Sequence, residues 1–150
     1  MKRETVSRIL LMFFLAFVIF LPSKAMGEDP YVFINSDSDY GDIYLNVKSA
    51  SDRGNYVVCW EKVVPRGSFL QYLKKQLKPK TPDYLMTLYA YDKKASRMQV
   101  LQGVVYDAGR NPIKTIISIT FNERNYVEIV PDTVGYVQRI LTLRQVGIQP

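Results

Sequence analysis

Tyr56-Val57-Val58-Cys59-Trp60-Glu61-Lys62-Val63-Val64, followed by Ser68-Phe69-Leu70-Gln71-Tyr72-Leu73-Lys74-Lys75-Gln76-Leu77-Lys78, is where the chain changes period, and this junction decides the fold class. The first stretch is rich in β-branched and aromatic residues and reads as the longest strand candidate. In the second, Phe69, Leu73 and Leu77 recur every four residues with Leu70 beside them, while Gln71, Lys74, Lys75 and Lys78 fall on the opposite side. That spacing predicts an amphipathic helix, with Ser68 as N-cap and with Pro79 and Pro82 ending it. Lysines near its C-terminus suit the helix dipole.

Strand signals lie on both sides of this helix. Upstream, Tyr31 to Asn35 is a short strand, Ser36 to Asp42 is turn-rich, and Ile43, Leu45 and Val47 alternate with Tyr44 and Asn46. A second turn, Ser51 to Asn55, completes the spacing of an antiparallel meander. Downstream, Tyr84 to Tyr91, Met98 to Tyr106 and Ile113 to Phe121 read as strands, joined by Asp92 to Arg97 and Asp107 to Pro112, both with hairpin chemistry. Tyr126 to Val130 is a short apolar segment. A last helix runs from Val134 to about Arg144, with Val134, Val137, Ile140 and Leu141 as its apolar face and Asp132 or Thr133 as its cap. The expectation is one α+β domain over residues 28–150: an antiparallel sheet of about six strands with one inserted amphipathic helix and one C-terminal helix packed on it.

The N-terminus sets the compartment. Lys2, Arg3 and Arg8 precede thirteen apolar residues from Ile9 to Leu21, then Pro22 and a short polar stretch. This order and length describe a secretory signal peptide over residues 1–27, cleaved before Glu28 because Ala25 and Gly27 supply the small residues at the cleavage site. An uncleaved anchor is the alternative, although a transmembrane helix wants roughly 20 apolar residues. No cysteine follows the apolar run, which argues against a lipid anchor. The chain after cleavage is expected to carry no transmembrane span, and to lie in the periplasm or at the surface of a bacterium.

Removing the four Lys/Arg and one Glu of the leader from totals of 20 and 14 leaves 16 and 13, a formal charge of +3. The charges are mixed along the chain, so nucleic acid is not an expected partner. Histidine is absent, which excludes Ser-His-Asp, Cys-His and His-based zinc chemistry within one chain. Cys59 is the only cysteine, so no intramolecular disulfide forms. Its apolar strand setting reads as a buried small hydrophobe, with a reactive thiol or an intermolecular disulfide in a homodimer as the alternatives.

Catalytic and cofactor signals are close to nil. Asp37, Asp39, Gly41 and Asp42 come nearest to a metal loop, but Asp42 and Lys48 occupy the places where an EF-hand needs Gly and Glu. Nothing in the spacing of Glu61, Glu123 and Glu128 joins them as paired carboxylates. No catalytic residue, metal ligand or cofactor site is therefore assigned, and the chain is expected not to be an enzyme; a hydrolase using carboxylates alone is the remote alternative. Eleven tyrosines and one tryptophan are more informative. Tyr44, Tyr56, Trp60, Tyr89, Tyr91, Tyr106 and Tyr126 fall within strand segments, where they serve core packing or a recognition face.

The order of segments also resembles a known family. The opening strand ending in Asn35-Ser36-Asp37, Tyr44-x-x-Val47, the aromatic strand at Trp60, Tyr89-x-x-Asp92, Arg97 and Val105-Tyr106-Asp107-x-Gly109 precede Tyr126-Val127-Glu128-Ile129-Val130-Pro131-Asp132-Thr133-Val134-Gly135. This looks like the bacterial surface-adhesin protein E family, whose members commonly carry W-x-x-I-x-P-G-[ST] before a terminal helix; Tyr126 stands at the Trp position and Asp132 at the Gly. Many relatives have a cysteine after the Tyr-x-x-Asp strand end and another near the C-terminus. Here the first place holds Lys93 and the second cysteine is missing. The resemblance implies an antiparallel sheet backed by a helix and binding of host matrix and serum proteins such as laminin, vitronectin and plasminogen. The expected function is that of an exported, adhesin-like envelope protein that binds a host-matrix or envelope protein or a surface polymer, through the sheet face or through the helix whose Lys74, Lys75 and Lys78 are the candidate contact residues. The alternative is a periplasmic accessory subunit of an envelope assembly.

Overall fold

The computed structural model describes residues 30–150. The expected signal peptide and its expected cleavage point lie outside the described residues. Alternating burial along Tyr56–Pro65 shows the physical logic of the sheet. Val57, Cys59, Glu61 and Val63 are buried on one side, while Tyr56, Trp60, Lys62 and Val64 stay partly exposed. This is the two-residue period of a strand with one face in the core.

The elements are β1 (Tyr31–Asp37), β2 (Gly41–Asp52), β3 (Tyr56–Pro65), α1 (Gly67–Leu77), β4 (Tyr84–Asp92), β5 (Arg97–Tyr106), β6 (Pro112–Ser118), a 3-10 turn (Glu123–Asn125), β7 (Val127–Glu128) and α2 (Val134–Gln145). The strands pair in sequence order, β1-β2-β3-β4-β5-β6, and each pair is antiparallel. The fold is α+β, as expected. The short Tyr126 to Val130 segment supplies a seventh strand, β7, which pairs with Arg97 and Met98 while β6 takes the rest of β5 from Gln102 to Tyr106.

An aspartate closes each of the four hairpin turns. Asp37 accepts from the N–H groups of Asp39 and Tyr40, both at 2.8 Å; Asp52 from Gly54 at 2.8 Å; Asp92 from Lys94 and Ala95 at 2.7 and 3.0 Å; and Asp107 from Asn111 at 2.8 Å. A short carboxylate that satisfies the next turn's donors is the reason aspartate sits where a strand must reverse. The acidic Asp37 to Asp42 stretch is thus a turn held by its own backbone, with Asp42 paired to Arg66 at 2.5 Å.

Both helices cover the same face. Leu73 and Leu77 of α1 join Ile43, Val63, Leu85 and Val105, whereas Tyr136 and Leu141 of α2 pack beside Leu45, Cys59, Tyr91 and Ile129. The α1 stripe is as the periodicity predicts, but its start differs. Arg66 is the N-cap residue and no side chain caps the helix; the Ser68 hydroxyl points instead to the Asp39 carbonyl, which also accepts from the Phe69 N–H at 3.0 Å. Gly67, at φ +46°, makes this approach, and a Cβ there would lie 2.4 Å from the Ser38 carbonyl oxygen.

The C-terminal helix corrects the sequence expectation more deeply. Its buried residues are Gln138, Arg139, Thr142 and Leu143, while Val137 of the expected apolar face is 43% exposed. Polar groups of the sheet decide this orientation. Gln138 donates to the buried Glu61 carboxylate, and the Arg139 guanidinium donates to the backbone carbonyls of Asp92 at 3.1 Å and Lys93 at 3.3 Å. Buried hydrogen-bonding groups must be matched, and here that requirement overrides the count of apolar side chains. Thr133 stands at the N-cap, but its hydroxyl donates to the Val130 carbonyl at 2.7 Å rather than capping the helix. Among the described residues no helix is long and apolar enough to cross a membrane.

Candidate binding face of the sheet

Residues that pair across the ladder share a face. Tyr44, Lys62, Met86 and Val104 form one cross-strand row; Asn46, Trp60 and Leu88 form the next; and Tyr84 pairs with Tyr106. These side chains lie on the face opposite both helices. Neither α1 nor α2 packs on it; at its far end the segment after β6 does, with Phe121 stacked on Tyr56 and the Asn122 N–H donating to Gln99. Tyrosines in alternate strand positions therefore collect on an open surface.

At one end of this face, where β4 begins and β5 ends, is a depression of about 360 Å³ lined by Tyr31, Lys62, Tyr84, Met86, Tyr106 and Arg110. The rings of Tyr84 and Tyr106 stack at 5.0 Å between centroids and 7° between planes. The Lys62 ammonium lies 4.8 Å from the centroid of the Tyr84 ring and 5.5 Å from that of Tyr31, in cation-π range. The Tyr31 hydroxyl reaches the Met86 sulfur at 3.9 Å. Burial pushes the Tyr84 phenol up, with Tyr106, Tyr31 and Asp83 adding to it and Arg110 opposing them. The Tyr84 phenol therefore stays a neutral donor at neutral pH, and this arrangement can bind and orient a ligand.

Lys74, Lys75 and Lys78 are exposed on or just past α1, on the side turned from the sheet core, as the periodicity predicts. They share this outer side with Tyr72, which is 57% exposed. They lie on the helix-bearing side of the sheet and contribute nothing to the Lys62 depression. The two basic features are therefore separate candidate contact surfaces.

The acidic residues are also dispersed. Glu123 and Glu128 are exposed in the loop and short strand beside β5. Glu123 lines a cleft of about 260 Å³ with Asp92, Arg97 and Tyr126, in which the Arg97 guanidinium pairs with Asp92 and lies 4.9 Å from the Tyr126 ring centroid. Glu61 is 4% exposed beneath α2, where it accepts from Gln138 and, at 3.4 Å, from the Tyr89 hydroxyl; the Tyr91 hydroxyl in turn donates to Gln138 at 3.4 Å. Burial pushes the Glu61 carboxyl up from its ordinary 4.5, against the lowering effect of the Gln138 and Tyr89 hydrogen bonds. Partial burial against Phe69 of α1, with the Glu61 charge adding to it, pushes Tyr40 up to about 12. This network ties α2 to the sheet.

Cys59 is fully buried, with its thiol donating to the Asn46 carbonyl at 3.2 Å, and burial pushes its pKa up. That is the setting of a structural thiol. Lys62 and Arg110 do not stand out in the sequence. Strand parity places Lys62 opposite the buried Val57, Cys59, Glu61 and Val63, whereas Arg110 reaches the depression only because the β5–β6 turn folds back beside β4. Comparison with known protein families, curated proteins and solved structures found no match for the chain.

Proposed function

We propose that the chain is an exported cell-envelope binding protein, non-enzymatic and adhesin-like, that contacts a host-matrix or envelope protein through the open face of its sheet. One observation carries this reading: the face without helices gathers Tyr31, Tyr84, Tyr106 and Met86 around Lys62, half-exposed and in mutual contact. Tyrosine, methionine and arginine are enriched at protein contacts, and Tyr31, Tyr84, Tyr106, Met86 and Arg110 line this depression. The signal-peptide pattern and the resemblance to the surface-adhesin protein E family agree with it.

The test compares two surfaces. Tyr84→Ser with Tyr106→Ser strips the open face, and Lys74→Gln, Lys75→Gln and Lys78→Gln together neutralise the helix; circular dichroism checks each fold. Pull-downs against host-matrix and envelope proteins should lose their partner with the tyrosine variant and keep it with the lysine variant. The reverse pattern would move the contact to α1. External protease applied to intact cells separates an exposed adhesin, which is cleaved, from a periplasmic accessory subunit, which is protected until the outer layer is broken.

A further inference from the structure

We infer that the Lys62 depression takes the carboxylate of an acidic peptide side chain flanked by an apolar residue, so that the partner contributes an acidic–apolar segment. This rests on the open face being the contact surface. Three other cations at the strand ends have a carboxylate of this chain: Arg66 with Asp42 at 2.5 Å, Lys93 with Asp52 at 2.6 Å, and Arg97 with Asp92. Lys62 and Arg110 differ. Neither has a carboxylate partner among the described residues, and both line the same depression. Asp83 is the acid whose charge is felt at Tyr84, alongside Arg110. The residues that line the depression thus carry two positive charges and no negative one, which a carboxylate from outside would complement.

The walls identify what accompanies that carboxylate. Lys62 lies over the Tyr31 and Tyr84 rings, so its ammonium is already positioned and loses little side-chain freedom on binding. Tyr106 stacks on Tyr84 from the β5 side and Lys62 approaches it from the β3 side, and these strands flank β4 on opposite sides. Both faces of the Tyr84 ring are therefore occupied. A sugar ring, which stacks on a free aromatic face, finds none at Tyr84. An aliphatic side chain can still lie along the ring edges and the Met86 thioether, which adapts to irregular apolar shapes.

Fluorescence anisotropy of labelled peptides tests the inference on the purified protein. An alternating Glu-Leu peptide should bind with an affinity that falls as salt rises, and the matching Gln-Leu peptide should bind about tenfold more weakly or worse. Lys62→Met and Arg110→Gln should each weaken the Glu-Leu peptide about tenfold and leave the Gln-Leu peptide unchanged. Equal binding of the two peptides, no binding of either, or polygalacturonate binding in preference to the Glu-Leu peptide would overturn the inference. The peptide comparison uses the unaltered protein and holds even where a variant does not fold. A partner lost with the Tyr84→Ser and Tyr106→Ser protein but retained by Lys62→Met with Arg110→Gln would remove the carboxylate and leave the open-face reading standing. A partner retained by both would remove the two together.

Discussion

Replacing Gln138 by Leu should leave a buried carboxylate with one hydrogen-bond donor instead of two, with a signature in pH. Glu61 is 4% exposed and accepts from two side chains, Gln138 and Tyr89; the substitution leaves only Tyr89, and the Tyr91 hydroxyl loses its acceptor. A hydrogen bond to a charged group contributes about 1.5–3 kcal/mol, and a stranded neutral hydroxyl adds about 1 kcal/mol, so the expected loss at neutral pH is about 3 kcal/mol. The folded-state pKa of Glu61 is already raised above the ordinary 4.5, so the folded protein holds this proton more tightly than the unfolded chain. Its contribution to stability therefore grows as pH falls through the folded pKa and levels off below the unfolded one. Loss of the Gln138 donor raises the folded pKa further, by about one unit for each 1.36 kcal/mol of lost stabilisation of the charged form. The deficit of the variant should shrink as the solution is taken from about pH 7.5 to about pH 5. Urea unfolding followed by fluorescence of Trp60, the single tryptophan, measures this at both pH values. Taking the difference between variant and parent at each pH removes the contribution of other titrating groups. An equal deficit at both pH values would refute the argument and assign the loss to packing under α2 alone. Glu61→Gln, which keeps the shape and removes the charge, should largely abolish the pH dependence of the deficit.

Asp92 should behave oppositely: burial works against its charge, but the N–H groups of Ala95 and Lys94 and the Arg97 guanidinium hold its carboxyl below the ordinary 3.8. Its contribution is present above the unfolded pKa and lost as pH falls through the folded one, so Asp92→Asn should cost about 2 kcal/mol near pH 7 and progressively less as the pH is taken below 3.8, read by thermal unfolding. Cys59→Ser should cost about 1 kcal/mol, because the new hydroxyl inherits the Asn46 carbonyl as acceptor, and reductant should not shift the melting temperature of the parent. A large shift with reductant would mean a disulfide-linked dimer. Gly67→Ala should destabilise by about 2 kcal/mol, since the new methyl meets the Ser38 carbonyl oxygen at 2.4 Å and the φ of +46° disfavours it, whereas Gly54→Ala, with open space around it, should cost only the backbone strain of its positive φ. Chemical denaturation of the two glycine variants side by side separates the clash from the φ effect.

Local periodicity determined much of this protein. The alternation of β3, the four-residue spacing of α1 and the aspartates at the strand reversals are written in neighbouring residues, because a strand, a helix stripe and an Asx turn each depend on contacts only a few positions away. That is enough to give the meander, the helix inserted between β3 and β4, and the outward side of Lys74, Lys75 and Lys78. Whatever depends on a distant partner was decided by tertiary structure. The orientation of α2 follows from Glu61 and the Asp92 and Lys93 carbonyls, tens of residues upstream, which draw Gln138 and Arg139 inward at the expense of Val137. The Lys62 depression is of the same kind: Tyr31, Lys62, Tyr84, Tyr106 and Arg110 come from four strands and a turn, and no spacing along the chain joins them. Cross-strand register brings them together, and register is set by the burial of the opposite face, Leu45, Cys59, Val63 and Leu85 against the two helices. The core thus chose which tyrosines would meet on the open face, although none of those tyrosines packs under a helix.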